Sequence, residues 1–270
     1  MGGMTTPNIF DRRAVRLHRD RAAATVGRVA DVLRDAGERL VDRLDDTTVR
    51  FRQALDVGGR GVVAPLLRAR GLGVVSCDLS AGMAGLNGGA AVVADEERLP
   101  FGAGRFDVVV ASLALHWVND LPGALIQLRL ALRPGGLLLA SFPALGTLGA
   151  LRGALTEAEA VLTGGASPRV SPFPELRDLA GLMQRAGFEL PVADVEDMTL
   201  SYAEPMLLLR ELRAAGEANA VALRDRRVPP RALFPMALSQ AGRLETVLRL
   251  ATVTGWAPGG SEPGLSLPSR

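Results

Sequence analysis

Between residues 53 and 142 the chain alternates short apolar runs with segments that have the apolar spacing of a helix. Each run is almost continuously apolar, as expected for a strand buried on both faces of a sheet. The runs lie at residues 53–57, Gly73–Asp78, Ala90–Asp95, Phe106–Ser112 and Leu137–Phe142. Between them the spacing predicts helices, the clearest from about Val62 to Arg70 and from Asp120 to about Leu132. Strands that alternate with helices in this way predict an α/β fold with a doubly wound parallel sheet.

Three successive predicted strands end in an acidic residue: Asp56, Asp78 and Asp95. The carboxyl ends of neighbouring parallel strands share one edge of the sheet, where ligands of such folds bind. We therefore expect these three carboxylates to converge on a single ligand. Asp78 lies about 20 residues beyond the end of the first strand, where a carboxylate can accept hydrogen bonds from both ribose hydroxyls of a nucleoside.

A glycine-rich turn, Gly58-Gly59-Arg60-Gly61, separates the first strand from the helix that follows. Glycine allows a tight turn and lets a ligand approach the backbone, because it has no Cβ. The next helix would point its free N–H groups at that ligand. Ordinary strand-to-helix turns can have the same composition. The turn alone is therefore compatible with either a cofactor cradle or a simple connection.

The composition narrows the class of protein. Hydrophobic residues make up 48% of the 270, which is enough for a full core, and the 31 basic residues are all arginine. The net charge is only +2, so a nucleic-acid partner is not expected. The one cysteine, Cys77, excludes an internal disulfide framework and a cysteine-based zinc site. Without a secretory signal or an apolar run of about 20 residues, we expect a cytoplasmic protein with no transmembrane segment.

The N-terminal region from Asp11 to Leu44 has the spacing of two amphipathic helices, broken near Gly27 or Gly37. It is preceded by residues 1–10, which we expect to be a loose leader. The region contains five closely spaced arginines, Arg12, Arg13, Arg16, Arg19 and Arg21. We expect them to form a solvated helix face. The alternatives are a basic lid over the cofactor site or a docking face for an acidic partner.

The second half of the chain is less regular. Its pattern predicts helices at Thr147–Thr163, Glu175–Ala186 and Glu204–Gly216, and a strand within Glu189–Tyr202. The proline-containing segment between Arg224 and Leu244 is predicted to be a disordered connection. Residues 257–270, rich in glycine, serine and proline, are predicted to be a disordered tail. The expected organisation is an N-terminal helical segment (1–48), one main domain with helical insertions (49–256) and this tail.

Several of these segments, in this order, resemble the class I S-adenosylmethionine-dependent methyltransferases. The matching residues are Leu55-Asp56-Val57-Gly58-Gly59-Arg60-Gly61, Cys77-Asp78-Leu79-Ser80, Ala94-Asp95, Leu99-Pro100-Phe101, Phe106-Asp107-Val108-Val109 and Leu132-Arg133-Pro134-Gly135-Gly136. The resemblance implies a Rossmann-like fold with a seven-stranded, mostly parallel sheet, whose last strand, Leu244–Thr254, is antiparallel. The glycine turn here is one residue shorter than the usual pattern of the family.

The resemblance also implies the positions of the cofactor, S-adenosyl-L-methionine. Gly58, Gly59 and Gly61, with Asp56, would lie under its methionine part. Asp78 would hold the ribose and Asp95 the adenine amino group, with their neighbours Leu79 and Glu96 included in the binding site. Ser112 and Leu113 would lie beside the sulfonium.

A narrower resemblance comes from segments outside this core. These are residues 8–12 and 18–23, Ser112–Pro122, Gly165–Phe173 and Thr254–Pro258, which are similar to the bacterial relatives of the methyltransferase-like assembly factor of mitochondrial respiratory complex I. Those proteins are also similar to the malonyl-carrier-protein methyltransferase of biotin synthesis. For the mitochondrial member, the implied activity is hydroxylation of an arginine in a complex I subunit.

Three functions therefore remain open. The first is methyl transfer to a small-molecule or protein acceptor. The others are arginine hydroxylation and a non-catalytic role in complex I assembly, both with a complex I subunit as partner. His116 and Trp117 follow the fourth strand, where an acceptor would meet the methyl group. His116 is a candidate general base and Trp117 a candidate substrate contact, although both could simply pack against the next helix. The sequence contains no clear metal-binding triad.

Overall fold

The computed structural model describes residues 8–239 and 244–259, and its centre is a single seven-stranded sheet. The strands are β1 (Gln53–Val57), β2 (Gly73–Asp78), β3 (Ala90–Val93), β4 (Phe106–Ser112), β5 (Leu132–Pro143), β6 (Glu189–Tyr202) and β7 (Leu244–Trp256). Their order across the sheet is β3-β2-β1-β4-β5-β7-β6.

Helices cover both faces of the sheet. They are α1 (Arg12–Ala22), α2 (Ala30–Asp42), α3 (Val63–Ala69), α4 (Ala81–Leu86), α5 (Leu121–Ala131), α6 (Gly149–Thr163), α7 (Leu176–Arg185), α8 (Pro205–Ala214) and α9 (Leu233–Leu238). None of the helices in these described ranges has the length and apolar character that crossing a membrane requires.

The strand directions confirm the predicted fold class. Strands β1 to β5 pair in parallel, whereas β7 pairs antiparallel with both β5 and β6. The sheet is therefore mostly parallel, with β7 reversed as the resemblance implied. The strand order changes direction between β1 and β4, and in open α/β sheets this is where ligands bind, beyond the carboxyl ends of the strands.

The core lies on both sides of the central strands. On one face, α2 and α3 pack Leu40 and Leu67 against Val108 and Leu139 of β4 and β5. On the other face, α5 and α7 pack against the same two strands and against β7. Because both faces are buried, the inner strands need the nearly continuous apolar sequence from which they were predicted.

Of the two predicted positions for the break between the N-terminal helices, the structure has the one near Gly27, whereas Gly37 lies within α2. Two strand boundaries differ from those predicted. The third strand ends at Val93, two residues before Asp95. Strand β5 begins at Leu132, five residues earlier than predicted, because Leu132 already pairs with Phe106 of β4. The predicted turn at residues 133–136 therefore lies within β5, where the pairing register with β4 shifts.

Two segments that were predicted to be loose contain ordered structure. Phe10 forms a β-bridge with Val221 and packs edge-on against Trp117, so residues 8–10 are held by the rest of the fold. The connection after Arg224 contains α9, whose Leu233 is fully buried against α6 and α8. Both predictions overlooked long-range apolar contacts. The remaining parts of the predicted leader and tail, residues 1–7 and 260–270, lie outside the described residues.

The arginines of α1 divide between solvent and interior. Arg13, Arg16 and Arg21 are exposed, as expected for a solvated helix face. For Arg12 and Arg19 that prediction was wrong, because they point toward the sheet. The side chain of Arg19 is completely buried, and it binds Glu96 at 2.8 Å and approaches Asp78 to 3.5 Å. A buried charge needs partners of opposite charge, and the carboxyl edge of the sheet supplies them.

The buried ion pairs of Arg19 predict a large effect on stability. Replacing Arg19 by Met should lower the free energy of unfolding by about 3–5 kcal/mol, since Asp78 and Glu96 would lose a buried partner. Arg16→Met is the matched control on the same helix: the Arg16 side chain is 59% exposed, so its loss should cost less than about 1 kcal/mol. Urea unfolding of both variants measures the difference, and equal losses would contradict this account.

Candidate functional site

The carboxyl ends of β1, β2 and β4 meet at one edge of the sheet, because these adjacent strands are parallel. Asp56, Asp78 and Ser112 all lie at this edge, each at or next to the end of its strand. Asp95 follows β3 at the same edge, but 32% of its side chain is exposed, whereas Asp56 and Asp78 are fully buried. The structure thus brings together the three carboxylates singled out in the sequence, with Asp95 at the outer margin.

Asp56 is a buried carboxyl group with few partners. Ser76 donates a hydrogen bond to its Oδ2 at 3.3 Å, and among the described residues Oδ1 has no hydrogen-bond partner. Burial disfavours the ionised form, and with the nearby charge of Asp78 it raises the pKa of Asp56 to about 7. Asp56 is therefore partly protonated near neutral pH, when it can donate as well as accept a hydrogen bond.

The glycine turn lies against this carboxyl group and against the loop after β4. A Cβ at Gly59 would overlap the Asp56 carboxyl group, so no larger residue fits there. Gly58 has φ +67°, and a Cβ on it would lie 2.6 Å from the Cβ of Ala114 and 3.8 Å from Asp78 Oδ2. Gly61 has φ +82°, and its N–H donates to Asn87 at 2.8 Å. Gly58 and Gly59 thus present backbone without a side chain beside Asp78 and Asp56.

Asp78 keeps one oxygen free. Its Oδ1 accepts the Ser80 N–H at 2.8 Å and lies 3.5 Å from Arg19 Nη1, whereas its buried Oδ2 has no hydrogen-bond partner in the described residues. Burial outweighs the charge of Arg19 and raises the pKa of Asp78 above its ordinary value. Arg19 also donates to the carbonyl oxygen of Ala114 at 3.2 Å, so its guanidinium lies between β2 and the loop after β4.

Arg12 extends this arrangement outward. It binds Asp95 at 2.6 Å and also pairs with Glu96, the second partner of Arg19. Burial opposes the ionisation of Glu96, but Arg19 and Arg12 outweigh it and lower the pKa of Glu96. The result is a continuous chain of ion pairs, Asp95–Arg12–Glu96–Arg19–Asp78, which we call the α1 ion-pair chain. Beside it, the predicted cofactor residue Leu79 packs with Phe10, Ala14, Val15, Trp117 and Ala220.

Two residues other than glycine take left-handed backbone conformations at this edge. Arg60 has φ 50° and Leu113 has φ 48°. The two are joined, because Arg60 Nη2 donates to the carbonyl oxygen of Leu113 at 2.9 Å. Such conformations cost free energy and cluster at functional sites. The shortened glycine turn therefore places a buried arginine side chain against the end of β4.

His116 and Trp117 follow Leu113 after β4, and both share a carboxylate partner, Glu217. His116 Nε2 is 2.8 Å from Glu217 Oε2, and Trp117 Nε1 donates to the same oxygen at 2.6 Å. Arg60 pairs with the other oxygen of Glu217. Burial acts to raise the pKa of Glu217, but the neighbouring His116 and Arg60 outweigh it. The pKa of Glu217 therefore lies well below its ordinary value.

These two residues also line a large apolar cavity of about 320 Å³. Its lining includes residues of α6, α8, α9 and the loop before α7, together with Arg60, Leu113, His116, Trp117 and Glu217. Arg60 and Leu113 therefore border both the cavity and the carboxyl edge of the sheet. Within the described ranges, no group of three or more His, Cys, Asp or Glu side chains could hold a metal ion.

Four residues of this site did not emerge as specific site residues from the sequence: Arg12, Arg19, Arg60 and Glu217. Arg12 and Arg19 were grouped with a solvated face, and only the alternative of a basic lid anticipated their position. Arg60 was read as part of the glycine turn. Glu217 follows a helix end some 100 residues after His116, and the pattern gives no sign that they meet.

The donor set fits a nucleoside cofactor. Asp56 and Asp78 are buried, and each has one oxygen without a hydrogen-bond partner in the described part of the chain. The backbone of Gly58 and Gly59 lies beside them. Asp78 Oδ2 can accept a hydroxyl hydrogen, as a ribose requires. However, a ligand bound to Asp78 must share its space with the Arg19 guanidinium or displace it.

The raised pKa of Asp56 predicts a specific pH dependence of stability. Its folded pKa of about 7 exceeds the unfolded value of about 4, so folding favours the protonated form. This contribution is complete below about pH 4 and is lost as the pH rises to about 7, a change of about 4 kcal/mol. Asp56→Asn stays neutral, so its stability relative to wild type should increase across that range. Urea unfolding at several pH values measures this, and parallel curves would contradict it.

Comparisons with known proteins agree with the fold. A family model described as a methyltransferase domain matches residues 26–191. The protein of Mus musculus named arginine-hydroxylase NDUFAF5, mitochondrial, is 35% identical over 277 residues, covering 94% of this chain and 80% of that protein. The malonyl-[acyl-carrier protein] O-methyltransferase of Laribacter hongkongensis is 34% identical over 282 residues, covering 94% and 92%.

A solved structure has the same fold. Phosphoethanolamine N-methyltransferase 2 of Haemonchus contortus, in complex with S-adenosyl-L-methionine, superposes with a TM-score of 0.56 at 16% identity, over 91% of this chain and 60% of that one. The matched family model, the similar relatives and the strand order together show that the chain belongs to the class I S-adenosylmethionine-dependent methyltransferase family.

Proposed function

We propose that this protein binds S-adenosyl-L-methionine at the carboxyl edge of the sheet and transfers the methyl group to an acceptor in the cavity beside His116. The observation that carries the proposal is the junction between the two spaces. Leu113 follows β4, and Arg60, in the turn after β1, donates to its carbonyl oxygen. Both residues also line the cavity, so ligands on the two sides would meet there. Membership of the methyltransferase family supports the choice of cofactor.

The residues of the edge would take the following roles. Asp78 would accept the ribose hydroxyls through its free Oδ2, and Asp95 with Glu96 would bind the adenine end. Asp56 and the glycine turn would face the methionine part, with Ser112 and Leu113 beside the sulfonium. When bound, the cofactor supplies an electrophilic methyl group. The chain itself contributes positioning, which is the main requirement of an in-line displacement.

Cofactor binding would also require a change in α1. Arg19 contacts Asp78, Glu96 and the carbonyl oxygen of Ala114, so a nucleoside at Asp78 would take the place of its guanidinium. Arg12 and Arg19 would then act as a lid, the alternative that the sequence left open. The free energy needed to separate these buried ion pairs would lower the apparent affinity for the cofactor.

The similar relatives support two classes of acceptor. The carrier-protein methyltransferase of Laribacter hongkongensis supports an acyl-carrier or other small-molecule acceptor. The similarity to NDUFAF5 supports a second candidate function, hydroxylation of a protein arginine, with a respiratory complex I subunit as partner. A non-catalytic assembly role would use the same partner. Mass spectrometry of a candidate peptide separates these, because methylation adds CH2, hydroxylation adds oxygen and an assembly role adds nothing.

The proposed cofactor site predicts a loss of affinity on neutralising Asp78. In a calorimetric titration with S-adenosyl-L-methionine, Asp78→Asn should bind roughly 10- to 100-fold more weakly than wild type, since a charged hydrogen-bond acceptor is lost. Asp197→Asn is the control: it changes a carboxylate on β6 that pairs with Arg249 of β7, and it should bind as wild type does. Both variants would first be checked for a wild-type circular dichroism spectrum.

The proposed release of α1 predicts a second signal in the same titration. Trp117 packs against Phe10, next to α1, and the other tryptophan can be removed by Trp256→Phe. In that background the Trp117 emission should change as the cofactor binds, in parallel with the calorimetric signal. Heat release without a change in emission would contradict the release of α1. No binding by the wild-type protein would contradict both the cofactor and its site.

A further inference from the structure

The apolar cavity contains a small polar cluster that the proposed cofactor chemistry does not use. Most residues that line the cavity are apolar, among them Leu151, Leu155, Phe173, Leu208, Leu212 and Phe234. Its polar lining includes His116, Arg60 and Glu217, and also Arg169, which pairs with Glu159, and Tyr202, which donates to Glu211. A pocket of this kind fits a molecule with a mainly apolar body and few polar groups. The lining atoms that lack a partner in the described part of the chain indicate which polar group would bind.

Glu217 fixes the proton arrangement of His116. An ionised carboxylate only accepts hydrogen bonds, and Glu217 is held ionised by Arg60 and His116. The nitrogen that faces it, His116 Nε2 at 2.8 Å, must therefore carry a hydrogen. In the neutral ring this leaves the lone pair on Nδ1, so Nδ1 can accept a proton.

The Nδ1 atom of His116 is buried, and no hydrogen bond in the described part of the chain uses its lone pair. Only 2% of the His116 side chain is exposed, and its Nδ1 has no hydrogen-bond partner among the described residues. The same holds for the Nε–H of Arg60, whose side chain is also 2% exposed. Two residues that line the cavity therefore each contain a buried atom without a partner among the described residues, one a base and the other a cationic donor. Buried polar atoms without partners are costly, and a ligand that satisfies both would bind favourably.

These two atoms distinguish between classes of acceptor. A hydroxyl group can donate its hydrogen to Nδ1 while its oxygen accepts from the Arg60 Nε–H. A carboxylic acid is already ionised near neutral pH and needs no base, and an apolar group would leave both atoms unpartnered. Among hydroxyls, a phenol (pKa about 10) or an enol can transfer its proton to a histidine during methyl transfer, whereas an aliphatic alcohol is a far weaker acid.

We propose that the cavity binds an apolar molecule that carries a phenolic or enolic hydroxyl, with His116 as the base and Glu217 as the residue that positions it. This rests on the proposed methyl transfer and names its acceptor class. The acceptor oxygen forms a bond to the methyl carbon as the carbon–sulfur bond breaks, and the sulfur keeps that electron pair. The hydroxyl proton passes to His116 Nδ1, and Glu217 balances the charge of the imidazolium before the proton is released to water.

The first test measures the tautomer of His116 by nitrogen NMR. The chain has only two histidines, and His18 serves as an internal reference. At a pH where the ring is neutral, Nε2 should show the shift of a protonated nitrogen and Nδ1 that of an unprotonated one. In Glu217→Gln this preference should weaken, because an amide can also donate. Glu159→Gln is the matched control: it removes another buried carboxylate, paired with Arg169, and should leave His116 unchanged.

A protonated Nδ1 in the neutral wild-type ring would overturn the proposal without the need for any variant. An unchanged tautomer in a folded Glu217→Gln would overturn the positioning role of Glu217. A merely structural role of Glu217 would lower the thermal midpoint without moving the nitrogen shifts, so the two measurements separate the explanations.

The second test compares three probes that share a tail and differ in their head group: para-hexylphenol, para-hexylbenzoic acid and hexylbenzene. Titrated into the protein without cofactor, the phenol should bind at least tenfold more tightly than the other two and should shift the His116 Nδ1 signal. His116→Phe should remove the preference for the phenol. Equal binding of all three probes, or a preference for the benzoic acid, would overturn the acceptor class.

These outcomes are independent of the cofactor site. Binding of S-adenosyl-L-methionine without a preference for the phenol would leave the proposed methyl transfer standing and refute this acceptor. Selective binding of the phenol without any binding of S-adenosyl-L-methionine would leave the cavity assignment standing and refute methyl transfer.

Discussion

The pairing of buried charges at the carboxyl edge of the sheet is the constraint on which this structure depends. Asp78 and Glu96 have no access to water, and each would be costly if it stood alone. Arg19, equally buried, supplies the opposite charge from α1. The N-terminal helix is therefore fixed to the sheet by the same carboxylates that a nucleoside would use. Under the proposed site assignment, the stability of the ligand-free fold and the affinity for the cofactor depend on the same carboxylates.

A second consequence follows from the shortened glycine turn. In this turn Arg60 adopts a left-handed conformation, and its side chain reaches both the carbonyl oxygen of Leu113 and the carboxylate of Glu217. The turn thus links the cofactor edge to the polar lining of the cavity. One buried guanidinium lies between the two proposed ligands, where a positive charge stabilises an oxygen that is losing its proton.

Much of the fold was predictable because it depends on local pattern. Strand β4 was predicted with its observed limits, since a strand buried on both faces must be apolar throughout. The helix after Asp120 was also predictable, because Asp120 caps it by accepting the Gly123 N–H. The convergence of Asp56 and Asp78 followed from the parallel sheet alone.

The errors came where long-range contacts outweigh local pattern. Arg16 and Arg19 are three residues apart on one helix, yet Arg16 is exposed and Arg19 is buried. The difference comes from Asp78 of β2 and Glu96 after β3, which pair with Arg19. Likewise, nothing near Glu217 in the sequence indicates that it meets His116 and Trp117. The short helix α9 was not predicted, because the prolines in and before it suggested disorder. In the structure its Leu233 is buried against α6 and α8.

The most direct test of the account is a crystal structure of the protein grown with S-adenosyl-L-homocysteine, the product form of the cofactor. The account predicts the ribose on Asp78, the adenine near Asp95, and the guanidinium of Arg19 withdrawn from Asp78. A ligand bound elsewhere, or a crystal in which Arg19 still pairs with Asp78 and Glu96 at saturating ligand, would contradict the assignment of this edge as the cofactor site.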